Sequence, residues 1–239
     1  MPCYYIWTIG CQMNKADSER ISSYLEQAGY QATRRAEEAE IIVLNSCVVR
    51  QSAEDRVINK LGALKSLKRG PQNPILALTG CMVDSRVDGL RHRFPHVDLF
   101  CRPQAVEELG QFLASRGLAA PPESDSLPPL HPSPSTFVPI IEGCDKFCSY
   151  CIVPYRRGRE RSRPVDEILC EVRWLAQRGV KEVTLLGQNV DSYGHDLPAT
   201  PDLADLLVEL NRVDSLSRIR FLTSHPKDMG ERLIEDGPS

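Results

Sequence analysis

The feature that most constrains the fold of this chain is a short pattern that occurs three times in its first half. Each copy is a run of mostly apolar residues, then a turn of small residues, then a cysteine, at residues 5–11, 42–47 and 76–81. Strands that alternate with helices form a parallel sheet, and the carboxyl ends of its strands lie along one edge, where ligands bind. The pattern therefore predicts that Cys11, Cys47 and Cys81 converge at that edge.

The surrounding sequence predicts a doubly wound α/β domain in residues 1–116. Apolar runs predict strands at residues 3–9, 41–44, 75–78 and 97–100. Helical spacing of apolar residues predicts helices at residues 17–28, 52–67, 86–93 and 104–116. Asp17 or Ser18 is predicted to cap the first helix. Such alternation implies a sheet with helices on both faces.

Residues 117–135 are predicted to form a linker, because they contain six prolines together with serine and aspartate. Residues 136–239 return to the alternating pattern. Strands are predicted at residues 137–141, 182–186 and 219–222, and helices at 165–178, 203–211 and near Met229. A complete (β/α)₈ barrel needs about 250 residues. The second part therefore predicts an incomplete barrel.

Composition narrows the class of protein but not its partner. The chain has 239 residues, of which 41% are hydrophobic and 26% charged, and its net charge of −3 does not point to a polyanionic partner. No basic leader begins the sequence, and no apolar run approaches about 18 residues, so we expect neither a secretory signal nor a membrane helix. Nine cysteines without such a signal favour a reducing compartment, where thiols serve metals or catalysis.

A second set of cysteines is more closely spaced. Cys144, Cys148 and Cys151 form a Cys-x3-Cys-x2-Cys loop directly after a predicted strand. Cysteine thiolates hold iron–sulfur clusters, usually four to a cluster, so three thiolates leave one iron open for chemistry. Structural zinc is the alternative, but it needs a fourth ligand, and the nearest are His131 and Cys170. The alternative for the first set is three buried core cysteines.

Several motifs, in order along the chain, resemble the radical S-adenosylmethionine (SAM) methylthiotransferases. They are the Cys-x3-Cys-x2-Cys loop with Tyr150 before its last cysteine, and residues 10–14, 45–50, 80–82, 151–155, 158–163 and 186–194. The resemblance covers nearly the whole chain outside the linker. Complete members of the family continue through further barrel strands into a small RNA-binding β-barrel. This sequence departs from them because it ends within the barrel.

The resemblance implies two [4Fe–4S] clusters and SAM as cofactors. One cluster would be held by Cys144, Cys148 and Cys151, and SAM bound at its open iron would yield a 5′-deoxyadenosyl radical. The other cluster, on Cys11, Cys47 and Cys81, would present the sulfur that is methylated and transferred.

The resemblance also implies roles for residues around SAM. Tyr150 would pack near the SAM adenine, with a simple core aromatic as the alternative. Gln188 and Asn189 follow the second barrel strand, at the catalytic face of such a barrel, where they would bind the polar end of SAM. His225 follows the third strand and would contact SAM or substrate. Turn residues without a ligand are the alternative for these three.

Within the family, residues 186–194 are most similar to the branch that methylthiolates tRNA at carbon 2 of N6-dimethylallyladenosine, next to the anticodon. The alternatives are threonylcarbamoyl-adenosine in tRNA and an aspartate of a ribosomal protein. Outside the enzymes, the alternative is an iron–sulfur protein for electron transfer or sensing. The implied partners are the tRNA anticodon stem-loop and an electron donor such as flavodoxin or ferredoxin. We expect a cytoplasmic monomer without a membrane partner.

A basic segment follows the second cysteine set. It contains Arg156, Arg157, Arg159, Arg161 and Arg163, offset by Glu160. Arginine suits phosphate because its planar guanidinium donates several hydrogen bonds at once. Together with the resemblance, this predicts that the five arginines contact the tRNA backbone. A solvated loop with internal salt bridges is the alternative.

Overall fold

The chain folds into two compact units, Met1–Pro129 and Leu130–Ser239. The structure, a computed structural model, describes residues 1–83, 87–103, 106–121 and 128–235. Part of the predicted linker and the first residues of the helices predicted at 86–93 and 104–116 lie outside these ranges. The division between the units falls within the linker predicted at 117–135, whose exact ends stay a prediction. None of the helices in the described ranges is long and apolar enough to cross a membrane.

A five-stranded parallel sheet forms the centre of the first unit. Its strands are β1 (Cys3–Thr8), β2 (Gln31–Ala32), β3 (Ile41–Ser46), β4 (Ile75–Gly80) and β5 (Leu99–Phe100), in the order β2-β1-β3-β4-β5. The chain adds β2 on one side of β1 and then adds β3, β4 and β5 on the other. The sheet is therefore doubly wound, which confirms the predicted fold class. Every residue of the strands β3 and β4 is buried, which explains why their sequences are mostly apolar.

Helices cover both faces of this sheet. They are α1 (Gln12–Gln27), α2 (Gln51–Lys68), α3 (Val87–Arg93) and α4 (Val106–Ser115). On one face, Leu61 of α2 packs in the same core as Leu44 and Leu78. On the other face, Leu25 of α1 and Leu109 of α4 belong to a second core.

The prediction that Asp17 or Ser18 caps the first helix is wrong. The helix begins at Gln12, directly after Cys11, and the side chain of Asn14 accepts a hydrogen bond from the Cys11 N–H at 3.3 Å. Asp17 and Ser18 lie inside the helix, and both are buried. Because buried polar residues occupy the inward face of its first turns, the helix lacks the apolar spacing that would have marked its start.

The second unit contains a parallel sheet of three strands in sequential order. The sheet consists of β6 (Ser135–Pro139), β9 (Glu182–Leu186) and β10 (Arg218–Phe221), and the unit has two further short strands, β7 (Ile141–Glu142) and β8 (Arg161–Ser162). Strand β9 lies between β6 and β10, and both pairings are parallel. The short strands β7 and β8, which sequence reasoning missed, form an antiparallel pair.

The helices of this unit are α5 (Val153–Arg157), α6 (Val165–Gln177), α7 (Leu203–Leu210) and α8 (Glu231–Glu235). Helix α6 connects β8 to β9 and α7 connects β9 to β10, and Val172 and Leu206 of these helices pack in one core with Leu185. Asp202 caps α7, where it accepts a hydrogen bond from the Asp205 N–H at 2.8 Å. Sequential parallel strands with crossover helices agree with a partial (β/α) barrel.

Candidate metal centres

The three cysteines of the first unit follow neighbouring strands at one edge of the sheet. Cys47 and Cys81 come directly after Ser46 and Gly80, which are paired across β3 and β4. Cys11 follows β1, the other neighbour of β3, after a short turn. This edge includes the point between β1 and β3 where the strand order reverses, which is where open α/β sheets bind ligands.

The chemistry of these donors fits an iron–sulfur cluster. Thiolates are the ligands that iron–sulfur clusters take, and Cys47 and Cys81 are buried while Cys11 is exposed. In the described ranges, no three His, Cys, Asp or Glu side chains lie close enough together to hold a single metal ion. The assignment of these cysteines to a cluster stays a prediction.

The second cysteine set lies on a loop whose ends are held together. Strands β7 and β8 pair at its base, and the Cys144 N–H donates to the Gly158 carbonyl at 3.1 Å. Asp145 accepts two hydrogen bonds from the Arg159 guanidinium, at 2.6 and 3.0 Å, and this guanidinium lowers the pKa of the carboxyl. Gly143 has a φ of +71°, and a Cβ there would lie 2.1 Å from the Arg159 carbonyl oxygen, so only glycine fits.

The thiols of this loop lie within electrostatic reach of one another. Burial raises the pKa of Cys144, and the nearby Cys151 and Cys148 raise it further. The Cys151 N–H donates to the Cys148 carbonyl at 2.9 Å, which fixes the turn between them. Thiolates within electrostatic reach of one another repel, and a bound cationic centre would offset that repulsion. The loop therefore also fits a cluster.

A polar network that sequence reasoning missed joins this loop to the ends of β9 and β10. The Lys146 Nζ lies 2.6 Å from one oxygen of Asp228, and the Asn189 amide donates to the other at 2.7 Å. Burial acts to raise the pKa of Asp228, but the hydrogen bonds from Lys146 and Asn189 outweigh it and lower the pKa. The hydrogen bond to Asp228 raises the pKa of Lys146. No local motif marks this contact, because the paired residues are 82 positions apart.

The structure also locates the residues predicted to surround SAM. Tyr150 is 89% exposed, so the alternative of a core aromatic is wrong. Asn189 is buried, and its Oδ1 accepts no hydrogen bond from the described residues, so it keeps a free acceptor. Gln188 and His225 are half-buried. The His225 N–H donates to Asp191 at 2.8 Å, which ties the end of β10 to the turn after β9. Their cofactor roles stay predictions.

The five arginines predicted to contact RNA do not share one environment. Arg163 is buried, lies 2.7 Å from the Glu171 carboxylate and donates to the Pro139 carbonyl. This burial contradicts its predicted contact with RNA, because its guanidinium binds groups inside the unit and does not face solvent. Arg159 and Arg161 are exposed, and Arg156 and Arg157 are half-buried. For these four the RNA contact stays a prediction.

Each of the two units matches a different known protein family. Residues 3–102 match the uncharacterized protein family UPF0004, and residues 138–236 match the radical SAM superfamily. The chain is 52% identical, over 98% of its length, to the tRNA-2-methylthio-N(6)-dimethylallyladenosine synthase of Dehalococcoides mccartyi, of which it covers 54%. It is 48% identical to the protein of the same name from Dictyoglomus thermophilum, of which it covers 56%. The chain thus spans about half the length of these relatives.

Among solved structures, the chain resembles TsrM from Kitasatospora setae, a radical S-adenosylmethionine methyltransferase. The TM-score is 0.63 at 11% identity to the form with cobalamin and a [4Fe-4S] cluster bound, and the match covers 99% of this chain and 57% of that one. The form with tryptophan and a SAM analogue gives 0.61 at 12% identity and the same coverage. At such low identity the likeness shows the fold alone.

Proposed function

We propose that the chain is part of a tRNA methylthiotransferase, on the premise that its residues 138–236 match the radical SAM superfamily. The proposed substrate is N6-dimethylallyladenosine next to the anticodon, which receives a methylthio group at carbon 2. The observation that carries the proposal is the 52% identity, across 98% of the chain, to a relative named for that modification. Because the chain covers 54% of that relative, the activity, the substrate and the partners all belong to the proposal.

Two sets of residues would hold the cofactors. Cys144, Cys148 and Cys151 would bind one [4Fe–4S] cluster, and the cysteines that follow β1, β3 and β4 would bind a second. When bound, the clusters and SAM supply the radical that activates an unreactive C–H bond and the sulfur that replaces the hydrogen.

The chain's own residues position these cofactors. The closed base of the loop and the Lys146–Asp228 ion pair hold the second cysteine set against the carboxyl ends of β9 and β10. That end of the strands is the catalytic face of a (β/α) barrel. Asn189 offers its free Oδ1 to a donor such as the SAM amine, and the exposed ring of Tyr150 offers a surface to the adenine.

The proposed partners follow from the same assignment. Arg156, Arg157, Arg159 and Arg161 would contact phosphates of the anticodon stem-loop, because guanidinium groups pair well with phosphate oxygens. A low-potential electron donor such as flavodoxin or ferredoxin would reduce the cluster in the cytoplasm. We propose that the protein acts as a monomer.

Anaerobic reconstitution with iron and sulfide, followed by reduction with SAM present, tests the proposal. We expect about eight irons per chain, because each [4Fe–4S] cluster contains four, and 5′-deoxyadenosine as a product. Replacing Cys144, Cys148 and Cys151 together with alanine should abolish 5′-deoxyadenosine and leave about four irons. Replacing the other three cysteines should halve the iron and leave SAM cleavage intact.

The outcomes separate the alternatives. Bound iron without any 5′-deoxyadenosine would contradict the proposed enzymatic activity and favour an electron-transfer or sensor protein.

The substrate is tested by nucleoside analysis of tRNA that carries N6-dimethylallyladenosine or threonylcarbamoyl-adenosine, incubated with the protein extended to the length of its relatives. A methylthio group found only on threonylcarbamoyl-adenosine would contradict the proposed substrate.

A further inference from the structure

Buried polar side chains lie beside the three cysteines of the first unit. Asn14, Asn45 and Ser46 each have 0% exposure, although both cores of this unit are otherwise dominated by apolar residues. Buried polar groups cost stability unless every group is hydrogen-bonded, and an apolar replacement of the same shape is often at least as stable. Stability alone therefore does not explain a polar cluster at this edge.

The two asparagines hold each other in one orientation. The Asn14 amide donates to the Asn45 Oδ1 at 2.8 Å and to the Ser46 carbonyl at 3.0 Å. In return, the Asn45 amide donates to the Asn14 carbonyl at 2.8 Å and to the Ser18 hydroxyl at 2.9 Å. The Asn14 amide is thus fixed by two partners on β3 and the Asn45 amide by partners on α1, and neither can rotate without breaking several bonds.

This network reaches the turns that bear the cysteines. The Asn14 Oδ1 accepts from the Cys11 N–H at 3.3 Å and from the Cys11 thiol at 3.4 Å. The Ser46 carbonyl, which already accepts from Asn14, also accepts from the Cys81 N–H at 2.9 Å. Cys47 is the next residue along the chain from Ser46. A single carbonyl therefore connects the turns of all three cysteines.

The backbone leaves no space at Gly80, immediately before Cys81. Its φ is +90°, and a Cβ there would lie 2.3 Å from the Ser46 carbonyl oxygen and 2.5 Å from the Asn45 Oδ1. The network thus packs directly against the backbone of the third cysteine turn, and the close approach depends on glycine.

We propose that the Asn14–Asn45–Ser46 network is a positioning device that sets the three cysteine turns relative to one another before a cluster is bound. Asn14 acts on Cys11, the exposed member, which stands beyond the end of β1 at the start of α1. The inference rests on the proposed function, because it assumes a cluster on these three cysteines. Asn14 touches no substrate and acts through Cys11, so it is a positioning residue and not a catalytic one.

The test uses the full chain with Cys144, Cys148 and Cys151 all replaced by alanine, so that bound iron reports on the first unit alone. Into this background we place Asn14→Ala, and Asn59→Ala as the matched control, an asparagine on α2 away from the cysteine turns. After anaerobic reconstitution, the rate of iron loss to a chelator is followed. The background and the control should each hold about four irons. Asn14→Ala should lose iron at least about tenfold faster, because it removes the hydrogen bonds to Asn45, Ser46 and Cys11, and the loss of one buried hydrogen bond alone would give about that effect.

Equal rates of iron loss in Asn14→Ala and the control would overturn the inference and leave the second cluster standing. A background that binds no iron would overturn the second cluster itself, and the inference with it. The two failures are therefore distinguishable.

Alkylation of the metal-free protein separates positioning from general loss of structure. In Asn14→Ala, Cys11 should react with iodoacetamide about threefold faster, because its thiol loses a partner, while the buried Cys101 should keep its rate. Should Cys101 also become reactive, Ser18→Ala replaces Asn14→Ala, since it removes one partner of Asn45 away from the cysteines. This variant should lose iron about threefold faster, and an unchanged rate would overturn the inference.

Discussion

Lys146 shows how a single residue can act far from its place in the sequence. It lies between Cys144 and Cys148, yet its ammonium lies 2.6 Å from the Asp228 carboxylate, and both side chains are largely covered. A charge-assisted hydrogen bond of this kind contributes about 1–2 kcal/mol. Lys146→Met should therefore lower the free energy of unfolding by about 1–2 kcal/mol at neutral pH, as measured by urea denaturation.

The pH dependence of that loss follows from the two pKa shifts. The folded protein lowers the pKa of Asp228, so the carboxylate stabilises the fold above its unfolded pKa of about 4, and this contribution is lost as the pH falls through the folded pKa. The fold raises the pKa of Lys146, so the ammonium contributes below about pH 10 and loses its effect as the pH rises further. The difference between wild type and Lys146→Met should therefore be full between about pH 5 and 9 and shrink below about pH 4. Lys227→Met, at an exposed lysine of the same unit, is the control, and a loss independent of pH would contradict the ion pair.

At the scale of elements, glycine is replaceable inside one helix of this protein but not at the end of one strand. Gly62 lies inside α2, where an added Cβ would have no other atom within 4 Å, whereas a Cβ on Gly80 would meet the backbone of β3. Gly62→Ala should therefore stabilise the protein by about 0.5–1 kcal/mol, because alanine restricts the unfolded chain and favours the helix. Gly80→Ala should destabilise it by more than about 1 kcal/mol, because of the positive φ and the overlap. Urea denaturation measures both, and effects of the same sign would contradict the close approach at Gly80.

The sequence was informative for elements wherever one local pattern decides the structure. Strands β3 and β4 were predicted because strands buried on both faces are continuously apolar. The start of α1 was not predicted, because Asn14 serves a network with Asn45 on another strand and so interrupts the apolar spacing. The burial of Arg163 was missed for the same reason, since its guanidinium donates to the carbonyl of Pro139, 24 positions earlier in the chain. Contacts between distant segments leave no periodic signal in the sequence.

At the scale of the whole molecule, the net charge of −3 conceals a local concentration of arginine. Arg159 and Arg161 are both exposed. The guanidinium of Arg159 forms an ion pair with Asp145, with its Nε 2.6 Å from the Asp145 Oδ1. Arg161 lies on β8, and no ion pair with another described residue involves it. A phosphate that contacts Arg159 therefore has to displace a paired carboxylate, whereas Arg161, which lies opposite Glu142 in the β7–β8 pair, makes no such ion pair with a described residue. This difference predicts unequal contributions from two neighbouring arginines.

If the proposed function holds, replacing both Arg159 and Arg161 with serine in the protein extended to the length of its relatives should weaken binding of a tRNA anticodon stem-loop and make it less sensitive to salt. Each phosphate contact that is lost should reduce the slope of log K against log salt concentration by about 0.7–0.9, because fewer counterions are released on binding. Arg161→Ser alone should account for the larger part of the change, since Arg159 is already paired with Asp145. Fluorescence anisotropy over a series of salt concentrations measures the slope, with Arg173→Ser, at an exposed arginine of α6, as the control. An unchanged slope in the double variant would show that these arginines do not meet the phosphate backbone.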